Sequence, residues 1–297
     1  MKILLLGKSG QVGWELQRAL APLGDLAALD RSGDEGLCGD LSDIDGLRRT
    51  IRTVAPDVVV NAAAYTAVDK AESDAEQAYV VNTHAVQAIA EETCTLGGWF
   101  VHYSTDYVFD GHGDAAWVES DFTNPLSVYG DSKLKGEQAI QASGCRHLIF
   151  RTSWVYGIWG GNFIKTILHL ATERERLSVI DNQIGTPTGA DLIADITAHA
   201  LRCAVARPEF AGLYHLAASG QTSWHEYANL IVRRAKERGK KLAVQAIDPI
   251  PASSYPVPAR RPLNSRLNTD KLCESFMLQM PKWQMGVVRM VDELART

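Results

Sequence analysis

The chain has 297 residues, 46% of them hydrophobic, enough for a large core in one big α/β unit or two modest domains. Thirty basic and 35 acidic residues give a formal net charge of -5 with no long run of either sign, which argues against nucleic acid or an anionic membrane as the main partner. Five single cysteines without a C-x-x-C pair suit a reducing compartment, and the four apolar residues Ile3 to Leu6 are too few for a signal-peptide core, so a cytoplasmic protein is expected.

Residues 3–6 read as a strand running into Gly7, Gly10 and Gly13, which open a helix over 11–21 carrying Trp14, Leu16 and Leu20. Glycines there permit a tight turn and close backbone approach to a pyrophosphate, and the helix start offers free amides at Gln11 and Val12. The spacing is G-x-x-G-x-x-G, and a glycine-rich turn that binds nothing is the competing reading. A second strand, 26–29, ends at Asp30, where an acid would bind ribose hydroxyls and favour NAD. Arg31 and Lys8 could instead offset a ribose phosphate, so loose discrimination between NADH and NADPH is expected. Asp40 and Leu41 lie where a third strand would end. A carboxylate there could meet an adenine amino group, or it could merely cap the turn before Ser42. A fourth strand, 57–61, closes on Asn61 and then Ala62, Ala63 and Ala64, small residues against which a flat cofactor could lie.

A helical stretch over 75–96 precedes a strand at 99–104 that ends on Ser104, Thr105 and Asp106. Thr105 supplies a hydroxyl that could bond a substrate oxygen, and Asp106 could orient sugar hydroxyls or a proton path; strand-end capping is the alternative. In a helix over 127–142, Tyr129 and Lys133 are i and i+4 and share a face. An ammonium beside a phenol should lower its pKa by roughly one to three units, making Tyr129 a proton donor near neutrality. A further strand spans 147–153. The alternation of strands and helices, with strands apolar on both faces, predicts a doubly wound parallel sheet.

Beyond 155 the pattern loosens, with helices expected at 162–174, 189–206, 223–238 and 281–295 and a strand at 212–217. Pro249, Pro251, Pro256, Pro258 and Pro262 exclude regular helix or central strand in their segment. The expected organisation is a dinucleotide-binding domain over 1–155 and a smaller, substrate-facing domain over 156–297, with 190–217 returning to the first body.

GKSGQVGWEL at 7–16, NAAAYTAVDKAE at 61–72, HYSTDYVFDG at 102–111, NPLSVYGDSKLKGE at 124–137, RTSWVYG at 151–157 and ARRPLNSRL at 259–267 together resemble the extended short-chain dehydrogenase/reductases, over nearly the whole chain. The resemblance implies a Rossmann-like fold with a C-terminal substrate-binding domain. It implies NADH- or NADPH-dependent reduction of the C4 ketone of a dTDP-sugar, dTDP-6-deoxy-L-lyxo-4-hexulose, to dTDP-L-rhamnose for surface polysaccharide. It makes Tyr129, Lys133, Thr105 and Asp106 catalytic. Cofactor contacts would come from the glycine loop (Gly7, Gly10, Gln11, Val12, Gly13), Asp30, Asp40, Leu41, Ala62, Ala63, Ala64, Tyr65 and Ser104, with Tyr129 and Lys133. Substrate contacts would come from Thr105, Asp106, Trp154 beside the sugar ring, and Arg260 and Arg261 on the diphosphate. Some members of the family pair as homodimers and use Mg²⁺. Asp191, Asp292 and Glu293 are acids that could serve, but no compact motif assigns a metal ligand. Related dehydratases carry Glu where this chain has Tyr107, which disfavours elimination. An epimerase, or a non-catalytic subunit like the regulatory subunit of methionine adenosyltransferase, stays open.

Overall fold

A computed structural model describes residues 1–296. Six parallel strands form its main sheet: β1 (Lys2–Leu6), β2 (Asp25–Leu29), β3 (Val58–Asn61), β4 (Trp99–Thr105), β5 (Arg146–Thr152) and an edge strand, Gly212–His215. From that edge the order is β5, β4, β3, β1, β2, so the chain reverses its direction of winding between β1 and β3. Loops leaving their carboxyl ends diverge there and leave a crevice, where ligands of open α/β sheets bind. β1 and β3 are buried apolar runs, as a sheet covered on both faces requires.

One face is covered by α1 (Gln11–Leu20) and, from the second half of the chain, α8 (Ala190–Ala206) and α10 (Asp270–Phe276); Leu16, Leu20, Ile193, Ala200 and Phe276 join Ile3, Leu5 and Val101 in one core. The other face is covered by α2 (Ile44–Val54) and α5 (Ala85–Thr95), with Ile140 of α6 (Val128–Ala142) joining their core. A separate core is built from α7 (Phe163–Glu173), α9 (Trp224–Glu237) and α11 (Trp283–Arg296), around Ile164, Tyr227, Ile231 and Val287. Strand Ala246–Ile250 pairs with Arg176–Ile180 alone, so Pro249 sits in a two-stranded ladder, where its missing N–H is tolerated.

Two expectations need correction. No strand ends at Asp40: residues 30–43 form turns with one isolated bridge, Asp34 to Leu37. Gly33 and Gly36 take left-handed φ of 73° and 81° there, and the segment has too few apolar residues for a buried strand. The strand closing on Asn61 is therefore the third. The helix expected over 75–96 is interrupted: α4 (Ala75–Tyr79) passes through a π-helical turn, Val80–His84, into α5.

That turn positions the helix carrying Tyr129 and Lys133. The buried Asn82 side chain accepts from the Tyr65 amide at 2.9 Å and donates to the Ser132 hydroxyl at 3.0 Å, while Thr83 Oγ1 donates to the Ser132 carbonyl at 2.8 Å. A π turn inserted at a functional site recurs among helices. A Cβ on Gly136 would lie 2.3 Å from the Asn82 carbonyl oxygen, so the close approach requires glycine. Ser127 caps α6 through the Gly130 amide at 3.2 Å, and Glu72, just after α3 (Val68–Ala71), accepts from the Val128 amide at 2.9 Å.

Candidate active site

The crevice holds a cavity of about 730 Å³ bounded by the ends of β1, β3, β4 and β5. At one end the backbone defines it. Gly7 takes φ 89°, and a Cβ there would stand 2.7 Å from the Ala63 nitrogen. Gly13 does not line the cavity; it lets α1 press on the loop, since a Cβ there would come within 1.9 Å of the Gly7 carbonyl oxygen. Gly10 precedes α1 with no side-chain cap and no acid in the first turn, so the first amides of the helix, near Gln11 and Val12, are available to an anion. Ala62, Ala63, Ala64 and Tyr65 form the opposite wall.

The acids at this end are committed to their own turns. Asp30 does not line the cavity; its Oδ1 accepts from the Ser32 hydroxyl and amide at 2.6 and 3.0 Å, which holds its carboxyl below the ordinary range. Asp40 and Leu41 do line it, together with Arg31. Asp40 accepts from the Ser42 hydroxyl at 2.6 Å on one oxygen and from Arg31 Nε at 3.1 Å on the other. Lys8 lies 3.8 Å from Asp34.

The other end is made of side chains, buried but for the half-buried Tyr129. Ser104, Tyr129, Lys133 and Thr152 line it, and the hydroxyls of Ser104 and Thr152 are buried with no partner. A planar ligand bearing amide and hydroxyl groups would satisfy them, and the glycine loop would take its diphosphate, so the cavity fits a nicotinamide dinucleotide. Thr105 and Asp106 lie just behind this wall. The Thr105 hydroxyl lies close enough to the Tyr129 phenol to favour its charged form, Thr105 Oγ1 donates to Asp106 Oδ1 at 3.2 Å, and Tyr107 packs edge-on to Tyr129 with centroids 5.6 Å apart. Gly130 admits that turn, because a Cβ there would lie 2.2 Å from the Tyr107 carbonyl oxygen.

Protonation at this end departs from the reading of the sequence. The phenol of Tyr129 is not lowered by Lys133; burial pushes it up to about 12, with Thr105 drawing it back and the Asp106 charge adding to the rise. The ammonium of Lys133 is gone by the pH at which such a phenol would ionise, and its Nζ lies 3.0 Å from His102 Nε2. Burial brings Lys133 itself down to about 8, although Glu137 favours its ammonium. Burial raises Asp106 to about 6 against the opposing hydrogen bonds of Ser265 and Thr105, and its Oδ2 has no partner.

The expected substrate contacts are dispersed around the catalytic end. Trp154, at φ 48°, stacks on Trp224 at 3.6 Å between centroids, and Gly185 lies over its ring, where a Cβ would come within 2.5 Å of Cε2. At least one face is therefore taken by core packing. Arg261 pairs with Asp69 at 2.7 Å, and its field reaches Tyr107, while Arg260 is exposed. The residues missed in the sequence are His102, Asn61 as a polar group, Thr152 and Ser265. The first is a lone histidine in an apolar strand, with nothing local to mark it.

Among the described residues no three His, Cys, Asp or Glu side chains converge as metal ligands, and no helix is long and apolar enough to cross a membrane. Asp191 and Glu293 lie 3.3 and 3.1 Å from Arg289, and Asp292 is held by Arg234 and Arg238. Within one chain these acids do not fit a Mg²⁺ site.

The chain is similar to known proteins over its whole length. The family described as RmlD substrate binding domain matches residues 1–296. The dTDP-4-dehydrorhamnose reductase of Escherichia coli (strain K12) is 56% identical over 297 residues, covering 100% of this chain and 99% of the relative. That of Burkholderia thailandensis is 50% identical, covering 99% of each. The crystal structure of a dTDP-4-dehydrorhamnose reductase from Clostridium acetobutylicum superimposes with a TM-score of 0.88 at 31% identity, covering 99% of each chain. That of the Bacillus anthracis reductase, in complex with NADP, does so at 0.87 and 32%, covering 99% of this chain and 100% of that one. With its glycine loop, its Tyr129 and Lys133 on one cavity wall and its full-length likeness to these reductases, the chain belongs to the RmlD substrate-binding domain family.

Proposed function

We propose that this chain reduces the C4 ketone of dTDP-6-deoxy-L-lyxo-4-hexulose to dTDP-L-rhamnose, in the cytoplasm, using NADPH or NADH. The observation that carries the reading is the meeting of Tyr129, its Thr105 partner and Lys133 at the carboxyl end of β4, at one end of a cavity whose other end is a glycine loop. The dinucleotide supplies a hydride to C4 of the sugar. The chain's own part is to hold the ketone and manage its proton. A phenol raised to about 12 stays protonated at neutral pH, so Tyr129 delivers its proton to the oxygen as negative charge develops there. Thr105 Oγ1 shares the bond to that oxygen. Lys133, on the cavity wall, reaches ribose hydroxyls and ties the cofactor to the acid. Tyr107 in place of a second carboxylate leaves no base for elimination. Trp154 and Arg261 flank the sugar and diphosphate, with Arg260 on the outer rim.

Purified protein is mixed with dTDP-4-keto-6-deoxyglucose, the 3,5-epimerase that makes the lyxo-hexulose, and NADPH or NADH, and absorbance at the nicotinamide band is followed. Oxidation should require the epimerase and fall about 10²- to 10⁴-fold in Tyr129→Phe. Folded protein that oxidises neither cofactor would sink the proposal and favour the non-catalytic subunit. Homodimer pairing, implied by resemblance, belongs to the same proposal and is read by sedimentation velocity with and without Mg²⁺.

A further inference from the structure

Beneath the catalytic helix a line of buried polar groups runs away from the cavity: Lys133 of α6, His102 of β4 and Asn61 of β3. All three are buried, with His102 at 0% exposure. Lys133 Nζ is 3.0 Å from His102 Nε2, and Asn61 Nδ2 is 3.3 Å from His102 Nδ1. The Ala63 amide donates to Asn61 Oδ1 at 3.1 Å. Because that bond fixes the carbonyl oxygen on Ala63, the amide NH₂ faces the imidazole. His102 Nδ1 must then accept, and a neutral ring carries its proton on Nε2. Burial and the neighbouring Lys133 keep the ring neutral.

The consequence falls on Lys133. An Nε2–H aimed at Nζ is satisfied by an amine lone pair and opposed by an ammonium. To accept from the ammonium the ring must move its proton to Nδ1, where it meets the Asn61 NH₂, and one buried donor is left facing another. We infer that His102 is a positioning residue for the reductase site, an uncharged imidazole whose tautomer is fixed by Asn61 and which thereby sets the pH at which Lys133 carries its proton.

Other charges around Lys133 are already engaged. Glu137, one turn along α6, is bidentate with Arg151 of β5 at 2.7 and 2.9 Å, and Asp131 of the same helix is turned to Tyr79 and Lys135. Glu72 caps the start of α6. Asp106 acts on Tyr129, and Tyr129 itself stays a neutral phenol. His102 is the hydrogen-bond partner of Lys133 among the described residues.

The inference rests on the proposed reductase reading for its catalytic meaning, but its first measurement needs no substrate. The ¹³Cε resonance of Lys133, assigned by its loss in Lys133→Met, is titrated in the free full-length protein, and the ¹⁵N shifts of His102 are read at pH 9. The expected tautomer is Nε2–H. Asn61→Leu removes the donor that fixes it, so the Lys133 titration should rise by about one pH unit, whereas simple loss of polarity would lower it. His102→Gln, whose amide oxygen can accept from an ammonium, should raise it too and covers the case in which Asn61→Leu does not fold. The alkaline limb of kcat/KM should move with the titration while KM for the sugar holds. A ring protonated on Nδ1 at pH 9, or a Lys133 titration unmoved or lowered in the folded variants, would overturn the inference. An inactive wild type with the expected NMR behaviour would instead count against the reductase reading alone.

Discussion

At the glycine-loop end of the cavity the working groups are main-chain amides and acids satisfied within their own turns, as Asp30 is by Ser32 and Asp40 by Ser42 and Arg31. At the Tyr129 end they are side chains, buried but for the half-buried Tyr129, and desolvation moves the pKa values of Lys133, Asp106 and Tyr129 away from their ordinary ranges. A dinucleotide brings its own charge, so the first end needs only donors held in place. The second must keep protons on particular atoms, and burial that does so opposes folding. Stability and function should therefore separate cleanly at one end and not at the other.

The sharpest test of that contrast is Lys133→Met. A lysine whose folded pKa is lowered from 10.5 to about 8 is stabilising only above its unfolded value, and that contribution is lost as pH falls through 8. Removing it should stabilise the fold at pH 7 by about 2 to 3 kcal/mol, after allowing for the orphaned His102 Nε2. The gain should fade between pH 8 and 10.5 while activity is lost. Urea midpoints at pH 7 and pH 10 check it; no gain at pH 7 would mean that the buried ammonium costs the fold nothing. Asp106→Asn should act with the opposite dependence. A carboxyl raised from 3.8 to about 6 is stabilising below its unfolded pKa, and this is lost as pH rises through 6. The asparagine should gain about 1 to 2 kcal/mol at pH 8, where its new NH₂ gives back part of the relief, and nothing at pH 4.

The same division explains what could be read from the sequence. The glycine loop, the strand ends and the Tyr129–Lys133 spacing are local, and a helical turn brings i and i+4 together whatever surrounds them. The partner of Lys133 is not local. His102 meets it only because β4 runs beneath α6, and neither residue's neighbours encode that register. Trp154 likewise gains Trp224 from seventy positions away, so a residue expected beside a sugar is half occupied by the core. Asp40 ends no strand for a different reason: the segment of Asp, Gly and Ser before it has no face to bury. α2 did carry its own signals, the Asp43 cap and Leu47, Ile51 and Val54 at helical spacing.

The smallest effect is expected back at the glycine-loop end, with Arg31→Ala. Arg31 lines the cavity beside Asp40, and its side chain is 81% exposed. Solvent screens such a charge, so its worth to a ribose phosphate is that of a surface ion pair. Its removal should weaken NADPH relative to NADH by no more than about fivefold. It should also leave the alkaline limb of the pH profile in place, because Arg31 and Lys133 sit at opposite ends of the cavity. Paired kcat/KM values for the two cofactors at low and moderate salt check this, and the difference should shrink as salt rises. A loss much larger than fivefold, or one indifferent to salt, would mean that Arg31 is desolvated when the cofactor binds. The glycine-loop end would then share the buried chemistry of the Tyr129 end, and the contrast between them would fail.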